Sequence, residues 1–349
     1  MKIAIIGCGT IANHAHIPSY INNPIAEIKY FCDIIPERAQ DAVKKYACGQ
    51  AIADYKQALN DPEVVAVSIC TPNNAHATIA IDAMRAGKHV LCEKPAARTY
   101  AEALEMQKVQ HETGMTLNIG VVNRYNDNVN IIKNYIDSGK LGQVYRVYAS
   151  FRAHRSIPGL GGAFTTKAIA GGGALIDWGV HYLDIVMYCC GDPKVNTVSG
   201  EAFCKLGVDM KNYAYDFMWA GPPNYDGTYD VDDSVTALIR TAGPTITLNG
   251  AWAENIGDGG TFIDFIGDKA GIRLTYGGDF TLYTAEHGAL VEYTPKKTAS
   301  DMFQNEINDF VQSIQTGAKS ASHIDTAIIT AQMMQAIYDS SDQHKEIAL

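Results

Sequence analysis

The chain has 349 residues, 47% of them hydrophobic and 19% charged, more than one compact core ordinarily holds, so two domains are expected. A formal net charge of -10 leaves no surplus of Lys and Arg to neutralise a phosphate backbone, and no basic cluster interrupts the sequence; nucleic acid is excluded as a partner. The eight cysteines sit mostly in apolar runs such as Tyr30-Phe31-Cys32, without any Cys-x-x-Cys spacing, and read as reduced core residues of a cytoplasmic protein.

Met1-Lys2 leads directly into the apolar run Ile3 to Ile6, which reads as a strand rather than an export signal, and no later run is long enough to span a bilayer. Ile28 to Cys32, Val64 to Cys70, His89 to Cys92 and Thr116 to Ile119 are further short apolar runs of strand type. Helical periodicity lies between them at Pro36 to Tyr46, Ala75 to Ala86 and Tyr100 to Glu112, with Gly87 and Gly114 where C-terminal caps belong. This rhythm predicts a doubly wound parallel sheet of Rossmann type over residues 1–122.

After a helix at about Val129 to Ser138 the pattern changes. Longer alternating strands at Val144 to Phe151, Asp233 to Arg240, Thr245 to Trp252 and Thr261 to Ile266 predict an α+β domain, residues 123–349, with a large, mostly antiparallel open sheet. The helical stretches Asp301 to Gln315 and Asp325 to Ser340 are too apolar to stand free and must pack on a domain, a return to the first among the options.

Gly7-Cys8-Gly9-Thr10-Ile11-Ala12 follows the first strand and opens a helix, the dinucleotide pattern in which small residues let a pyrophosphate approach backbone N–H groups. Asp33 closes the next strand, where a carboxylate accepts hydrogen bonds from a ribose and repels the extra phosphate of NADP, so the expected cofactor is NAD. A tight strand-to-helix turn alone would explain Gly7 and Gly9 but leaves Asp33 to coincidence.

Thr71-Pro72-Asn73-Asn74 follows the strand at Val64 to Cys70, at the sheet edge where ligands of such folds lie, and contacts the cofactor or else caps the next helix. His76 in the same turn is a further cofactor candidate, although a histidine in a first helical turn often meets only solvent. Asp54 with Gln57 reads as a capping box. Glu93-Lys94-Pro95 follows the strand at His89 to Cys92, at the same ligand edge, so Glu93 and Lys94 are further cofactor candidates, with Pro95 stiffening the backbone that presents Lys94 and Glu93 available to hold the lysine.

Asp177 and His181 follow Gly171-Gly172-Gly173 and lie one helical turn apart, a carboxylate and an imidazole on one face. In isolation that spacing more often marks a solvated pair. A metal would need a third ligand, which no suitable spacing provides, and Lys94 would oppose a cation, so no metal is expected. Arg124, Tyr125, His154, Arg155, Lys167 and Trp178 are candidate substrate contacts, each with a surface or core role equally open. The absence of a dense arginine cluster favours a neutral polyol, sugar or glycoside over a sugar phosphate.

Together, the glycine turn with Asp33, the motif Cys32-Asp33-x-x-Pro36-Glu37-Arg38-Ala39, the run from Pro62 to Asn73, Glu93-Lys94-Pro95 and Gly171 to His181 resemble the glucose-fructose oxidoreductase, inositol dehydrogenase and MocA (Gfo/Idh/MocA) family over nearly the whole chain. The resemblance implies Lys94, Asp177 and His181 as the catalytic group: His181 takes a proton from a substrate hydroxyl while hydride leaves the same carbon for NAD, and Asp177 and Lys94 position the oxygen and tune the base. It further implies an active site between the two domains, a cis peptide before Pro95, and a homodimer or homotetramer formed through the second domain. Where cofactor-recycling sugar oxidoreductases of the family carry a tyrosine proton donor, this chain has His181.

The expectation is therefore a cytoplasmic NAD-dependent dehydrogenase of a cyclic sugar, glycoside or inositol. Two rivals remain: an NAD-dependent glycosidase working by transient oxidation and elimination, and a non-catalytic NAD-binding sensor or repressor, against which the three catalytic residues count.

Overall fold

The computed structural model describes residues 1–257 and 259–349, and its contacts divide the chain into two units: Met1–Asn126 with Ser300–Ile328, and Asp127–Ala299 with Ile329–Leu349. No helix among the described residues is long and apolar enough to cross a membrane.

In the first unit β1 (Lys2–Ile6) runs into a π-turn (Ala12–His16) that continues as α1 (Ile17–Asn22). There follow β2 (Glu27–Cys32), α2 (Pro36–Tyr46), β3 (Gln50–Ile52), α3 (Tyr55–Asn60), β4 (Val64–Ile69), α4 (Asn73–Arg85), β5 (His89–Glu93), α5 (Tyr100–Thr113) and β6 (Leu117–Gly120). The six strands pair in parallel in the order β3-β2-β1-β4-β5-β6, the doubly wound topology. The order reverses between β1 and β4, so the turns after those strands share the crevice where ligands bind in open α/β sheets. Gly114 caps α5 in the left-handed conformation, and the Asp54 carboxylate caps α3 by accepting the Lys56 N–H at 2.9 Å.

The second unit opens with α6 (Asp127–Asp137) and β7 (Val144–Arg152), then α7 (Lys167–Ala170), a π-turn (Leu175–Gly179) and α8 (Val180–Cys189). Seven strands follow: β8 (Val195–Phe203), β9 (Ser234–Thr241), β10 (Thr245–Ala251), β11 (Thr261–Gly267), β12 (Ala270–Thr275), β13 (Phe280–Glu286) and β14 (Ala289–Tyr293). With β7 and the C-terminal β15 (Ile347–Ala348) they form a nine-stranded sheet, order β14-β13-β12-β11-β7-β10-β9-β8-β15, antiparallel except where β7 and β10 pair in parallel. Alternate residues of its central strands, Val147, Ala149 and Phe151 with Ile246, Leu248, Ile263 and Phe265, form one core with Leu183, Val186 and Met187 of α8.

The chain then re-enters the first unit. On α9 (Met302–Thr316), capped by Asp301, the residues Ile307, Phe310 and Val311 share a core with Ile3, Ile5, Ile17 and Phe31. The helix α10 (Ile324–Gln343) begins in the first unit and continues into the second, where Met333 and Ile337 join the core and β15 (Ile347–Ala348) adds the last strand. All eight cysteines are free thiols; burial pushes the thiols of Cys8 and Cys32 up to about 12, which leaves them unreactive at neutral pH.

Candidate active site

In the first unit Gly7 follows β1 with φ of +93°, a left-handed backbone conformation, and an added Cβ would stand 2.6 Å from the carbonyl oxygen of Cys70. Its N–H donates to the Cys32 carbonyl at 2.8 Å, seating the turn on the end of β2. Asp33 is buried, and its carboxylate accepts the N–H groups of Cys8 at 2.9 Å and Ile35 at 2.8 Å, so the acid also ties the glycine turn to the strand beside it. Each oxygen keeps a further lone pair.

Three observations test this site against NAD. Apart from its own chain neighbours, nothing described lies within 4 Å of where a Gly9 Cβ would be, leaving open space at the helix start. The Thr71 hydroxyl at the same sheet edge is buried without a hydrogen-bond partner among the described residues. Thr10 is exposed and Ile11 half-buried, while Ala12 is fully buried and lets the helix settle onto the sheet. An open backbone, an orphaned hydroxyl and a carboxylate at the neighbouring strand end fit a dinucleotide. The residue bounding α4 at its N-terminus is Pro72, which offers no side-chain cap, and Asn73 and Asn74 are the first two residues of the helix.

Lys94 is half-buried immediately after β5, and its peptide bond to Pro95 is cis. The loop is held from both sides by buried histidines. His76, expected in solvent or on the cofactor, is instead fully buried: Nδ1 lies 2.8 Å from the Pro95 carbonyl and Nε2 2.8 Å from the Thr71 carbonyl. Burial pushes this ring below the ordinary imidazole value, while the two carbonyl acceptors pull it the other way.

His16, at the end of the first π-turn, was not singled out from the sequence. Its Nδ1 lies 2.7 Å from Ser68 Oγ and its Nε2 2.8 Å from Glu93 Oε1, and the other Glu93 oxygen accepts the Lys94 backbone N–H at 3.1 Å. Burial alone would lower the His16 ring, but Cys70 and the Glu93 carboxylate outweigh it and hold the ring well above its ordinary value. Burial likewise opposes the Glu93 charge, and the bond to His16 overcomes it, keeping that carboxyl below the usual range. The directions agree on a charged pair.

In the second unit Asp177 lies on the π-turn and His181 in the first turn of α8, the carboxylate buried and the imidazole half-buried. The Trp252 indole donates to Asp177 Oδ2 at 3.3 Å, and the His181 ring lies 6.2 Å from the Tyr276 ring, which itself stacks on Tyr182 at 4.7 Å. Asp232 anchors this helix start, and nothing in the sequence marked it. Its carboxylate accepts the N–H groups of Gly173 at 2.7 Å and Leu175 at 2.9 Å and the Tyr338 hydroxyl at 2.6 Å. Burial pushes the Asp232 carboxyl up against these three bonds, which favour its charged form.

Arg124 and Tyr125 lie in the first unit and are buried: Arg124 donates to the Ala321 carbonyl at 2.9 Å and Thr326 Oγ1 at 2.6 Å, and the Tyr125 hydroxyl to Asp309 Oδ2 at 2.7 Å. Both therefore fasten the returning C-terminal segment. In the second unit Arg155 donates to the carbonyls of His154 at 2.7 Å and Glu254 at 2.9 Å, binding two loops together, while His154 itself is exposed. Lys167 is exposed near the Tyr338 ring, and Trp178 packs half-buried against the second core.

The sequence model described as the oxidoreductase family with an NAD-binding Rossmann fold matches residues 1–121, and that of the GFO/IDH/MocA C-terminal domain matches residues 129–273. The chain is 30% identical to the D-glucoside 3-dehydrogenase of Escherichia coli strain K12, over 100% of this chain and 97% of that one. It is 35% identical to the inositol 2-dehydrogenase of Salmonella typhimurium over 45% of this chain and 48% of that protein. The structure of a levoglucosan dehydrogenase in complex with NADH and levoglucosan shares the fold, with a TM-score of 0.87 at 22% identity over 100% of this chain and 99% of that one.

Proposed function

Because this chain belongs to the Gfo/Idh/MocA family of NAD-dependent oxidoreductases, we propose that it oxidises a secondary hydroxyl of a cyclic sugar, glycoside or inositol, or reduces the matching ketone. The observation that carries this reading is the end-to-end match to a D-glucoside 3-dehydrogenase, which makes glucosides the first substrate class to try. NAD, when bound, supplies the hydride acceptor.

The chain's own residues supply the rest. Gly7, Gly9 and the start of the following helix receive the pyrophosphate, Asp33 the ribose, and Thr71 offers its unpartnered hydroxyl to the same ligand. His181 takes the hydroxyl proton; Asp177 favours the imidazolium that results, and Lys94 donates a hydrogen bond to the oxygen as its negative charge grows.

Incubation with NAD and a panel of glucosides, free sugars and inositols, read by absorbance of NADH and by product mass, tests the proposal. Net NADH and a keto product are expected. Glycoside cleavage without net NADH would assign the transient-oxidation glycosidase reaction instead, and failure to turn over any member of the panel would refute the reading.

The cofactor side is checked separately. Asp33→Ala removes a ribose acceptor and also frees the Cys8 N–H that orders the glycine turn. Both effects act in one direction, and the NAD dissociation constant is expected to rise about 10- to 100-fold by calorimetric titration. An unchanged constant would remove Asp33 from the site.

A further inference from the structure

We propose that His16 is a positioning residue for Lys94: by engaging the Glu93 carboxylate it limits the hold of that charge on the lysine ammonium and ties the lysine loop to the dinucleotide helix. The inference rests on the reading above in assigning Lys94 a role in the reaction.

The path is continuous and lies within the first unit. It starts at the π-turn that follows the glycine turn, crosses the His16 imidazole to Glu93 Oε1 at 2.8 Å, and leaves by Glu93 Oε2 to the Lys94 N–H at 3.1 Å. Beyond Lys94 the Pro95 carbonyl meets His76, whose second ring nitrogen meets Thr71, the residue with the orphaned hydroxyl. The charged and titratable groups facing the pair are Cys70 after β4, Cys92 at the end of β5, Lys94, His76 on α4 and, beside Ser68, Tyr20 on α1.

A purely structural role accounts poorly for this arrangement. Burying an imidazole and a carboxylate is costly, and an apolar pair of the same volume would hold the sheet at least as well. The site is nevertheless shaped to the acid, since a Cβ on Gly120 of the adjoining strand would stand 3.1 Å from Glu93 Oε1. The acid is also the residue next to the lysine. The Lys94 charge already acts on the Glu93 carboxylate, and a buried carboxylate deprived of His16 would draw on it more strongly, withdrawing the lysine from a substrate oxygen and making it harder to deprotonate.

The two ring nitrogens allow a discriminating test. His16→Asn keeps a polar atom near the position of Nδ1, within reach of Ser68, and loses the one at Nε2. His16→Gln keeps an N–H near Nε2, within reach of Glu93. Two measurements are made on the full-length protein: kcat, KM and NAD affinity with a sugar substrate, and the pH dependence of Lys94 labelling by an amine-reactive reagent, read by peptide mass.

His16→Asn is expected to lower kcat about tenfold with NAD affinity unchanged, and to move the Lys94 labelling midpoint up by about one pH unit. His16→Gln should stay near the parent protein in both, and adding Glu93→Gln to His16→Asn should return the labelling midpoint. Equal effects of the two His16 variants, a larger effect from His16→Gln, or a midpoint that Glu93→Gln leaves displaced would each overturn the proposal. If the parent protein turns over no sugar, the dehydrogenase reading fails, while the labelling midpoints still decide whether His16 controls Lys94.

Discussion

Replacing His181 by alanine is expected to reduce kcat by about 10²- to 10⁴-fold while leaving the NAD dissociation constant within about twofold of the parent value. The imidazole is half-buried in the first turn of α8, outside the apolar core that Leu183, Val186 and Met187 of the same helix complete. Its loss therefore removes a proton acceptor without opening a core cavity, and the melting temperature should hardly move. The residues proposed to hold NAD belong to the first unit and His181 to the second; a proton-transfer role predicts loss of turnover alone, a cofactor-binding role loss of NAD affinity as well. Steady-state kinetics with saturating NAD, together with titration of NAD alone, separates them. Loss of turnover accompanied by loss of NAD binding and of thermal stability would make His181 structural.

Gly173→Ala should be among the most damaging single substitutions in the second unit. A Cβ at this position would stand 1.9 Å from the backbone carbonyl oxygen of Asp232, and backbone cannot rotate away as a side chain can. Either the turn or the Asp232 segment must shift, and with it go the bonds from the Gly173 and Leu175 N–H groups that fix the start of the helix carrying Asp177 and His181. Overpacking together with loss of the Asp232 bonds amounts to roughly 3 kcal/mol or more, a fall in melting temperature of the order of 6–12 °C for a unit of this size. Gly162→Ala is the control: nothing described lies within 4 Å of its would-be Cβ, and its φ of -109° suits any residue. Calorimetric scans of the two variants should differ widely; similar scans would mean that Asp232 does not hold the turn.

The parts of this molecule that were legible in its sequence share a physical cause. Strands buried on both faces of a parallel sheet are near-continuous apolar runs, and β1, β2, β4 and β5 stand within a residue or two of where those runs predict them. The helix α2 occupies Pro36–Tyr46, the span its proline start and periodicity indicate. The edge strand β3 is three residues long with one buried side chain, too little to leave a pattern. The two π-turns, Ala12–His16 and Leu175–Gly179, each shift the helical register by one residue, which composition does not record.

The site divides along the same line. Gly7, Asp33, Lys94, Asp177 and His181 stand in local motifs, whereas the residues that hold them are distant in the chain. His16 and Glu93 are 77 positions apart, and Asp232 and Gly173 are 59 apart. Nor did the sequence distinguish a histidine lodged between two carbonyls, as His76 is, from one facing solvent or a cofactor.

A ribosome finishes β1 long before it reaches Phe310, yet Phe310, Ile307 and Val311 complete the core formed by Ile3, Ile5 and Phe31. The exposed edge of β6 is closed equally late, by the Ile119 N–H bond to the Ser322 carbonyl at 2.9 Å and the bridge from Asn118 to His323. At typical elongation rates the interval from the completion of β6 to Ser322 is on the order of 10–40 s. During that time the nascent nucleotide-binding sheet carries an uncovered apolar face and an unpaired edge, the two surfaces most prone to misassociation. The first-made domain therefore closes only as the last tenth of the chain is made.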